Sequence, residues 1–546
     1  MASIIGSTIQ RRRIVIQGIV QGVGFRPFVY GQALRLGLVG FVLNDSLGVT
    51  IEVEGTAKAL GGFQRALDEE IPPLARIDAV STELLPPRFE STFVITQSQA
   101  GTERRALISP DTATCDECLH ELFDPADRRY RYPFVNCTNC GPRFTIVQDV
   151  PYDRDKTTMR IFPMCPACQA EYDHPLNRRF HAQPNACPVC GPQAHLLLWA
   201  DATLSAGATM GSSDAGQGEN LELPDPITTA AQSLAGGAIL AIKGLGGYHL
   251  ACDALNPEAV QRLRQLKRRE ARPFALMVPD LQTTRRLCQV SADETALLQS
   301  RRRPIVLLSQ QLNCPVSPGV ALSYTTLGIM LPYTPLHHLL LRAFATAIEP
   351  EGLEHTVERS IDSNSEEAGR PAVLVMTSGN LSDEPIAYRD DDARERLAGI
   401  AEGMLTHNRD VHMRCDDSVM RIAAGGEQFF RRSRGYAPEP LPLTFDLPLP
   451  LLACGAHLKN TFCLGKGRQA FVSHHIGDLE NLETLTSFRE GIEHFQSLFD
   501  IYPAAVAYDL HPEYLATKYA LDSDIQQKIG VQHHHAHIAS VLAEHG

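Results

Sequence analysis

Eight cysteines form the most informative pattern in this chain. They occur as two copies of Cys-x2-Cys, eighteen residues, Cys-x2-Cys, and the copies begin fifty residues apart. A Cys-x2-Cys turn directs two thiolates at one point, and two such turns complete the tetrahedral shell that zinc prefers. Because four thiolates leave no open position, we expect two structural zinc sites rather than disulfides, although spacing leaves open which cysteines share an ion. The candidate ligands are Cys115, Cys118, Cys137 and Cys140, then Cys165, Cys168, Cys187 and Cys190.

A second group of residues could bind an anion. Gly22, Val23, Gly24 and Phe25 precede Arg26, between a predicted strand and a predicted helix. Glycines let successive backbone N–H groups converge at a helix N-terminus, and an arginine adds a fixed charge. Asn44, at the end of the next predicted strand, could orient a water molecule. An ordinary turn explains a short glycine loop equally well, so spacing alone leaves both interpretations open.

The surrounding elements and motifs narrow the choice. Strands are predicted at 13–19, 38–43, 49–54 and 91–96, and helices at 27–37 and 57–70, which is the βαββαβ order of a ferredoxin-like unit. VQGVGFR followed by GFVLND resembles the signature of the acylphosphatase family. The resemblance implies that Arg26 binds an acyl phosphate and that Asn44 positions the attacking water.

Further along, several residues suit a nucleotide. The segment AIKGLGGYH (241–249) offers flexible backbone beside a lysine, Lys267 and Arg269 lie in the basic run RLRQLKRRE, and Ser378 and Asn380 close a predicted strand. Spacing alone favours a solvated basic helix and an ordinary turn. In an extended segment, however, Lys267 and Arg269 could both reach one polyanion.

The combination K-x-R with S-x-N is similar to the YrdC family, which adenylates a carbamate-type carboxylate with ATP. The resemblance implies that Lys267, Arg269, Ser378 and Asn380 bind the nucleotide and its carboxylate partner. It also implies that residues 407–418 and 431–435 line the same concavity.

A cluster of histidines near the end of the sequence, QHHHAH (532–537), could bind a metal ion. If QHHHAH opens a helix, His533 and His537 lie four residues apart on one face and can hold one metal ion. The upstream segments 455–461 and 474–479 have the composition of phosphate and substrate loops. The HHxAH pattern resembles O-carbamoyltransferases of the actin-like ATPase type. That resemblance implies iron or zinc at the histidine pair, with an aspartate supplied later in the chain.

Charge argues against a nucleic-acid binder. The net charge is −13, and residues 101–200 carry eleven Lys and Arg against twelve Asp and Glu, whereas phosphate-backbone binders need a basic face. A local basic stripe at Arg128, Arg129 and Arg131 could still bind nucleic acid. No apolar run approaches ~18 residues, so we predict no membrane span. The six other cysteines show no pairing pattern, which favours the cytoplasm.

Breaks in composition predict the domains. Residues 199–226 have the composition of a linker, 348–370 of a surface insertion, and 437–450 hold five prolines and suggest a junction. We therefore predict a multidomain α/β and α+β chain. Its parts are a ferredoxin-like acylphosphatase domain (1–97), a tandem four-cysteine zinc module (105–198), a YrdC-like α/β domain (227–437) and a partial actin-like carbamoyltransferase domain (451–546).

Taken in order, these blocks resemble one family along essentially the whole chain, the HypF carbamoyltransferases of nickel–iron hydrogenase maturation. YPFVNCTNCGPRFT, TSGNLSDEPI and KNTFCLGKG are typical of it. The resemblance implies hydrolysis of carbamoyl phosphate to carbamate at Arg26 and Asn44, formation of carbamoyl-adenylate in the YrdC-like domain, and carbamoylation of the C-terminal cysteine of the partner HypE for cyanide-ligand synthesis. It implies two structural Zn²⁺, ATP with Mg²⁺ and a divalent metal at the histidines, with neither nucleic acid nor membrane as partner.

Two alternatives remain. A tRNA threonylcarbamoylation enzyme would share both later domains but needs neither the acylphosphatase block nor the zinc module. A zinc-stabilised binding scaffold does not explain Arg26, Asn44 or the histidine cluster. Because the last domain of the family continues beyond the histidine motif, we expect this chain to be a fragment that lacks the third metal ligand and part of the second nucleotide site.

Overall fold

The structure is a computed structural model and describes residues 9–45, 48–96, 107–199, 225–349, 369–381 and 384–545. The predicted linker and the predicted insertion therefore lie almost entirely outside the described residues. The described residues form three sheets. None of the described helices is long and apolar enough to cross a membrane.

The first block is a five-stranded sheet of order β4-β1-β3-β2-β5 with two helices. Its elements are β1 (Ile9–Ile19), α1 (Phe25–Arg35), β2 (Val39–Asn44), β3 (Val49–Thr56), α2 (Ala57–Glu69), β4 (Arg76–Leu85) and β5 (Phe93–Ile95). The ferredoxin-like order is confirmed, but its last strand is β4 and not 91–96. The residues of β4 are mostly exposed, so they carry no apolar alternation that would predict a strand. Residues 91–96 instead contain β5, which pairs parallel with β2.

Alternation along the strands explains why this block folds. Ile14 and Ile16 on β1, and Ile51 and Val53 on β3, are at most 1 % exposed, because residues two apart on a strand face the same side of the sheet. Helix α2 contributes its own apolar face to the same core. The loop between β1 and α1 is therefore fixed at both ends by buried elements.

The four-cysteine block consists of short elements. They are α3 (Asp116–Phe123), α4 (Pro166–Asp173) and the 3-10 helices Arg154–Lys156 and Thr158–Ile161. Cys115 and Cys165 are the N-cap residues of α3 and α4. Cys118 and Cys168 follow in the first turn of these helices, which brings the two thiols of each Cys-x2-Cys pair to one side. The block ends in β6 (Ala194–Leu198), which pairs antiparallel with β13 (Gly403–His407) of the next block.

The third block is built on a ten-stranded sheet of order β15-β14-β10-β11-β9-β12-β8-β7-β13-β6, flanked by helices. Its first elements are α5 (Pro226–Ala235), β7 (Leu240–Lys243), β8 (Tyr248–Asp253), α6 (Pro257–Leu266), β9 (Ala275–Met277), α7 (Leu281–Leu287) and α8 (Ala292–Gln299). The chain continues with β10 (Ile305–Ser309), β11 (Thr326–Met330), α9 (Pro335–Ala347), β12 (Leu374–Ser378), α10 (Asp390–Leu397), β14 (Val419–Ala423) and β15 (Gly426–Arg431).

The last block has a four-stranded sheet of order β17-β16-β18-β19. It contains β16 (Leu441–Ala453), β17 (Cys463–Val472), α11 (Leu482–Phe499), β18 (Ala505–Asp509), α12 (Leu515–Asp522), β19 (Gln527–Val531) and α13 (His533–His545). The proline-rich stretch 437–450 is therefore largely strand. The pairing of β16 with β17 shifts register between Pro442 and Leu447 and again before Leu451, and prolines are tolerated at such irregularities.

The blocks are packed against each other through buried side chains. Phe144 and Tyr152 of the four-cysteine block lie in the same apolar cluster as Ile16 of the first block and Phe462 and Phe495 of the last. A shared core of this kind fixes the relative positions of the sites that the blocks carry. The boundaries drawn from composition stay a prediction.

Candidate functional site

The glycine loop between β1 and α1 has the geometry of an anion site. Gly22 and Gly24 have φ values of +70° and +75°, a region that glycine enters without steric cost. Gly24 is the N-cap of α1 and makes no side-chain cap hydrogen bond. The first N–H groups of α1 have no partner within the helix, so they can bind an anion at its N-terminus.

Arg26 and Asn44 come together at this loop. The side chain of Arg26 is 7 % exposed, and Asn44 is 1 % exposed. With the amide oriented so that its oxygen faces the guanidinium, Asn44 accepts hydrogen bonds from Nε and Nη2 of Arg26 at 3.2 and 3.3 Å. Burial lowers the pKa of Arg26, and the nearby Asp153 carboxylate acts in the opposite direction. A bound anion would offset the cost of burying this cation.

The four-cysteine block packs directly against the glycine loop. A Cβ atom on Gly22 would come within 2.9 Å of Cε1 of Tyr152, and one on Gly24 would lie 3.0 Å from Oγ1 of Thr138. Thr138 is part of the turn between Cys137 and Cys140. The glycines are therefore required both for their dihedral angles and for the close approach of the neighbouring block.

An open cavity of about 750 Å³ lies in front of Arg26. Apart from Arg26, the residues that line it come from the four-cysteine block, among them Asp153, Arg160, Tyr172 and His181. Burial lowers the pKa of His181 to about 4, and Arg26 acts in the same direction, so this imidazole is neutral near pH 7. The sequence did not predict these lining residues of the four-cysteine block, because no motif links residues of one block to a site in another.

The eight cysteines form two clusters, each made of four consecutive cysteines of the pattern. Within each cluster all four Sγ atoms lie within 4.8 Å of one another. In the first, Cys115–Cys137, Cys137–Cys140 and Cys118–Cys140 are 3.7, 3.9 and 3.5 Å apart. In the second, Cys165–Cys187 and Cys187–Cys190 are 3.7 and 3.8 Å apart. A zinc tetrahedron with Zn–S of about 2.3 Å has S···S edges of about 3.8 Å. Both clusters therefore fit zinc with no open coordination position.

The two cysteine units, residues 115–140 and 165–190, stabilise each other through reciprocal hydrogen bonds. Nε of Arg129 donates to the carbonyl of Ala186 at 2.9 Å, and Nε of Arg179 donates to that of Asn136 at 3.0 Å. These acceptors directly precede Cys187 and Cys137. The guanidinium of Arg129 also bonds Glu171, and that of Arg179 bonds Glu121.

The arginines next to this pair contact the thiols. Arg128 donates to Sγ of Cys168 at 3.3 Å, and Arg178 donates to Sγ of Cys118 at 3.2 Å. Partial burial raises the pKa of Glu171, but Arg129 and Arg128 outweigh it and lower that pKa to about 2. Arg128 and Arg129 are thus engaged with the second unit, and the exposed Arg131 pairs with Asp225.

The predicted nucleotide residues converge at the end of α6. This helix ends at Leu266, and Arg268 has a positive φ of 53°, so Lys267 and Arg269 lie in a non-helical segment. Nζ of Lys267 donates to the carbonyls of Ser378 and Asn380, each at 2.6 Å, and to Oδ1 of Asn380 at 2.5 Å. Burial lowers the pKa of Lys267 well below its usual value, and Arg269 acts in the same direction.

Two adjoining cavities open at this point. One, of about 480 Å³, is lined by Lys267, Arg269, Ser378 and Asn380 together with Lys459, His475 and Asp478 of the last block. The other, of about 470 Å³, has an apolar wall that includes Phe274, Ile305, Tyr324, Met376 and Phe430. Arg269, Ser378, Asp416, Arg431 and Lys459 line both. A basic cavity beside an apolar one suits a molecule with phosphates at one end and a flat ring at the other.

Three residues of the neighbouring motifs lie outside the basic cavity. Lys243 is 2 % exposed, lies 2.5 Å from Asp390 and donates to the carbonyl of His407, so its charge is engaged within the fold. His249 lines the apolar cavity and contacts Asp417 at 2.8 Å. Arg434 is buried behind Asp417, to which its Nε donates at 2.6 Å. The segment 431–435 therefore supplies one lining residue, Arg431, and one supporting residue.

The histidines of the last block open α13, as expected. His533 Nε2 and His537 Nε2 are 3.1 Å apart, which is close to the separation of two nitrogens held about 2.1 Å from one ion. Nδ1 of His533 contacts the Asp509 carboxylate at 2.7 Å, and such a contact fixes the ring so that Nε2 faces the metal. The spacing of the pair thus fits a divalent metal, to which it would supply two ligands.

Four family models match the chain. The Acylphosphatase model matches residues 12–95, and the HypF finger model matches 114–147 and 164–197. The model described as Telomere recombination, which covers Sua5, YciO and YrdC, matches 232–433. The HypF Kae1-like domain model matches 447–544. The four predicted types of block are confirmed in their predicted order.

Relatives match along almost the whole chain. Carbamoyltransferase HypF of Rhodobacter capsulatus is 44 % identical over 548 residues, which are 98 % of this chain and 66 % of the relative. Carbamoyltransferase HypF of Synechocystis sp. is 43 % identical over 534 residues, 98 % of this chain and 64 % of the relative. A crystal structure of full-length HypF in the phosphate- and nucleotide-bound form is 45 % identical with a TM-score of 0.87, covering 98 % of this chain and 65 % of that chain.

The chain thus spans a little under two thirds of the length of these relatives. The matched blocks follow one another as they do in that family, and the geometry of the glycine loop and of both cysteine clusters agrees with the match. On this evidence, the chain belongs to the HypF carbamoyltransferase family.

Proposed function

We propose that this chain takes part in ATP-dependent carbamoyl transfer from carbamoyl phosphate. The observation that carries the proposal is the contact between Arg26 and Asn44 at the N-terminus of α1. A cation and an amide side chain beside a helix N-terminus support an anion site at which a water molecule is oriented. The basic and apolar cavities at Lys267 supply the second site that such a transfer needs.

The first step is hydrolysis of carbamoyl phosphate. The phosphoryl oxygens lie against the loop 22–25 and the guanidinium of Arg26, and Asn44 orients a water molecule toward phosphorus. The water oxygen forms a new P–O bond while the bond to the carbamoyl oxygen breaks, which releases inorganic phosphate and carbamate. Fixed charges and donors of this kind stabilise the oxygens on which charge develops.

The second step is activation of carbamate by ATP with Mg²⁺. Lys267, Arg269, Ser378 and Asn380 hold the phosphates and the carboxylate, and the apolar wall accepts the base. A carbamate oxygen attacks the α-phosphorus, pyrophosphate leaves, and carbamoyl-adenylate forms. Residues of the last block line the same cavity, so the intermediate faces the domain that uses it. Carbamate and its adenylate are unstable in water, and enclosure limits their loss.

The third step is transfer to a thiolate at the C-terminus of a HypE-type partner. The thiolate sulfur bonds to the carbamoyl carbon and AMP leaves, which gives the thiocarboxamide precursor of a cyanide ligand. His533 and His537 would hold the divalent metal, iron or zinc, that orients groups in this domain. We place the reaction in the cytoplasm, where a cysteine acceptor and all fourteen cysteines of this chain stay reduced.

An ATP–pyrophosphate exchange assay tests the proposal. Exchange should depend on carbamoyl phosphate, because only the first step supplies the carboxylate that is adenylated. Threonine with bicarbonate serves as the comparison substrate for a tRNA threonylcarbamoylation enzyme. Exchange supported by threonine, or no exchange under either condition, would contradict the proposal.

A further inference from the structure

The cavity in front of Arg26 has two walls that come from different blocks. Arg26, at the end of the glycine loop, forms one, and the segment between the two cysteine units, with α4 and the residues after it, forms the other. An acyl phosphate seated at Arg26 therefore meets the four-cysteine block with its remaining surface. That block makes up most of the lining, so it is the part of the chain that can distinguish one acyl group from another.

Asp153 is the acidic residue of this wall that reaches Arg26. Its Oδ1 lies 3.8 Å from Nη2 of Arg26, and its side chain is 29 % exposed. Its backbone carbonyl accepts a hydrogen bond from the N–H of Lys156 at 2.9 Å, which fixes the residue at the start of the 3-10 helix Arg154–Lys156. Asp155 lines the same cavity but is exposed.

A carboxylate at this position works against phosphate binding, because like charges repel and Arg26 is shared between two anions. The arrangement becomes favourable when the substrate brings a hydrogen-bond donor beside its phosphoryl group. An ionised carboxylate only accepts hydrogen bonds, so the matching group is an N–H or O–H on the acyl carbon. The carbamoyl group carries an NH₂ there, whereas the acetyl group carries a methyl of nearly the same size.

We propose that Asp153 determines acyl specificity by accepting a hydrogen bond from the amino group of a bound carbamoyl phosphate. The site then selects acyl phosphates with an N–H on the acyl carbon over acyl phosphates of equal size without one. Asp153 takes no part in the displacement at phosphorus. This inference rests on the proposed hydrolysis at Arg26.

The test compares carbamoyl phosphate with acetyl phosphate, measured as phosphate release after subtraction of the uncatalysed rate. Asp153→Ala should lower kcat/KM for carbamoyl phosphate by about tenfold to a hundredfold, the usual loss for a hydrogen bond to a charged group. It should leave kcat/KM for acetyl phosphate unchanged or higher. Asp153→Asn, which keeps the volume and one acceptor oxygen, should lose less than Asp153→Ala. Asp155→Ala, which removes a carboxylate from the same cavity, should leave the ratio of the two substrates as in the wild type.

The outcomes separate the possible roles of Asp153. An equal loss with both substrates would show that Asp153 only positions Arg26, and wild-type kcat/KM with both substrates would show that it does not contact the acyl group. Either result overturns the inference alone. A wild-type chain that hydrolyses neither acyl phosphate would overturn the proposed function and this inference together. The thermal unfolding midpoint of each variant establishes that it is folded.

Discussion

Nε of Arg143 donates a hydrogen bond to the carbonyl oxygen of Gly22 at 2.8 Å, across 121 residues of sequence. The other guanidinium nitrogens of Arg143 donate to the carbonyls of Cys137, Thr138, Cys140 and Pro142 at 2.8–3.2 Å. Arg143 is 1 % exposed. One buried side chain therefore connects the backbone of the Cys137–Cys140 turn to the backbone of the glycine loop.

Arg143→Lys should slow acyl phosphate hydrolysis through the position of the loop. Lysine keeps the charge but not the planar fork that reaches several carbonyls at once. We expect kcat to fall by about tenfold, the effect of a small displacement of catalytic groups, with a smaller change in KM. Steady-state kinetics of phosphate release measure this. Arg131→Lys, at an exposed arginine paired with Asp225, is the control, and a matching loss in both variants would contradict the explanation.

Arg26→Ala and Asn44→Ala should fail in different ways. Without Arg26 the loop loses its charge on the phosphoryl group, so kcat/KM should fall by about a hundredfold or more. Without Asn44 the anion still binds, so kcat should fall more than KM rises. Arg35→Ala, at the exposed end of the same helix, should behave as the wild type. Wild-type turnover in the first two variants would show that the loop is only a structural turn.

Cys137→Ser should lower the zinc content from two ions to one per chain. It should also lower the free energy of unfolding by more than about 4 kcal/mol, because a closed thiolate shell supports the fold rather than a chemical step. Elemental analysis and thermal unfolding measure both. Cys314→Ser, at a half-buried thiol outside the clusters, should change neither. Two zinc ions in Cys137→Ser protein would show that this thiol is not a ligand.

Lys267→Ala should separate the two reactions. ATP–pyrophosphate exchange should disappear, because Lys267 holds the turn Ser378–Asn380 and lines the basic cavity. Hydrolysis of carbamoyl phosphate should continue at the wild-type rate, because it takes place at Arg26. Arg26→Ala should lose both activities when carbamoyl phosphate is the only carboxylate source. Loss of hydrolysis in folded Lys267→Ala protein would show that the two sites are not independent.

Stability should fall with acid in a defined range. Burial lowers the pKa of His474 and of His494 to about 3 in the folded chain, whereas an unfolded histidine titrates near 6.5. The unfolded state therefore binds more protons between about pH 6.5 and 3. Folded stability is fully present above this range and decreases through it by up to about 1.4 kcal/mol per pH unit for each histidine.

His474→Leu should make this decrease shallower. His474 is 0 % exposed, and neither of its ring nitrogens has a hydrogen-bond partner among the described residues. Its neighbours include Phe144, Arg414 and His494. Thermal unfolding midpoints between pH 7 and 5 measure the slope. His174→Leu, at an exposed histidine, is the control, and an unchanged slope in His474→Leu would contradict the linkage.

The parts of the fold that could be predicted are those fixed by local chemistry. Cys-x2-Cys spacing determines its own geometry, and the glycines before Arg26 fit both a turn and a helix start. Lys267 and Arg269 were predictable as a pair only if their segment was not helical, and α6 does end one residue before Lys267.

The parts that could not be predicted depend on contacts between blocks. Asp153 and His181 border the anion site only because the four-cysteine block packs onto the first block. Strand β4 is paired at an edge of its sheet with most residues exposed, so hydrophobic alternation is missing. Strand β16 contains several prolines that its irregular pairing accommodates. No local pattern carries this information.

The contacts of Arg129 and Arg179 are reciprocal, so each cysteine unit supports the backbone of the other. Each unit completes the surroundings of the other unit's thiolates, so metal uptake at one site organises the arginines that neutralise the second. Half-loaded protein should then be scarce at equilibrium, because each ion favours the conformation that binds the other. Loss of one site should therefore weaken metal binding at the other without abolishing it.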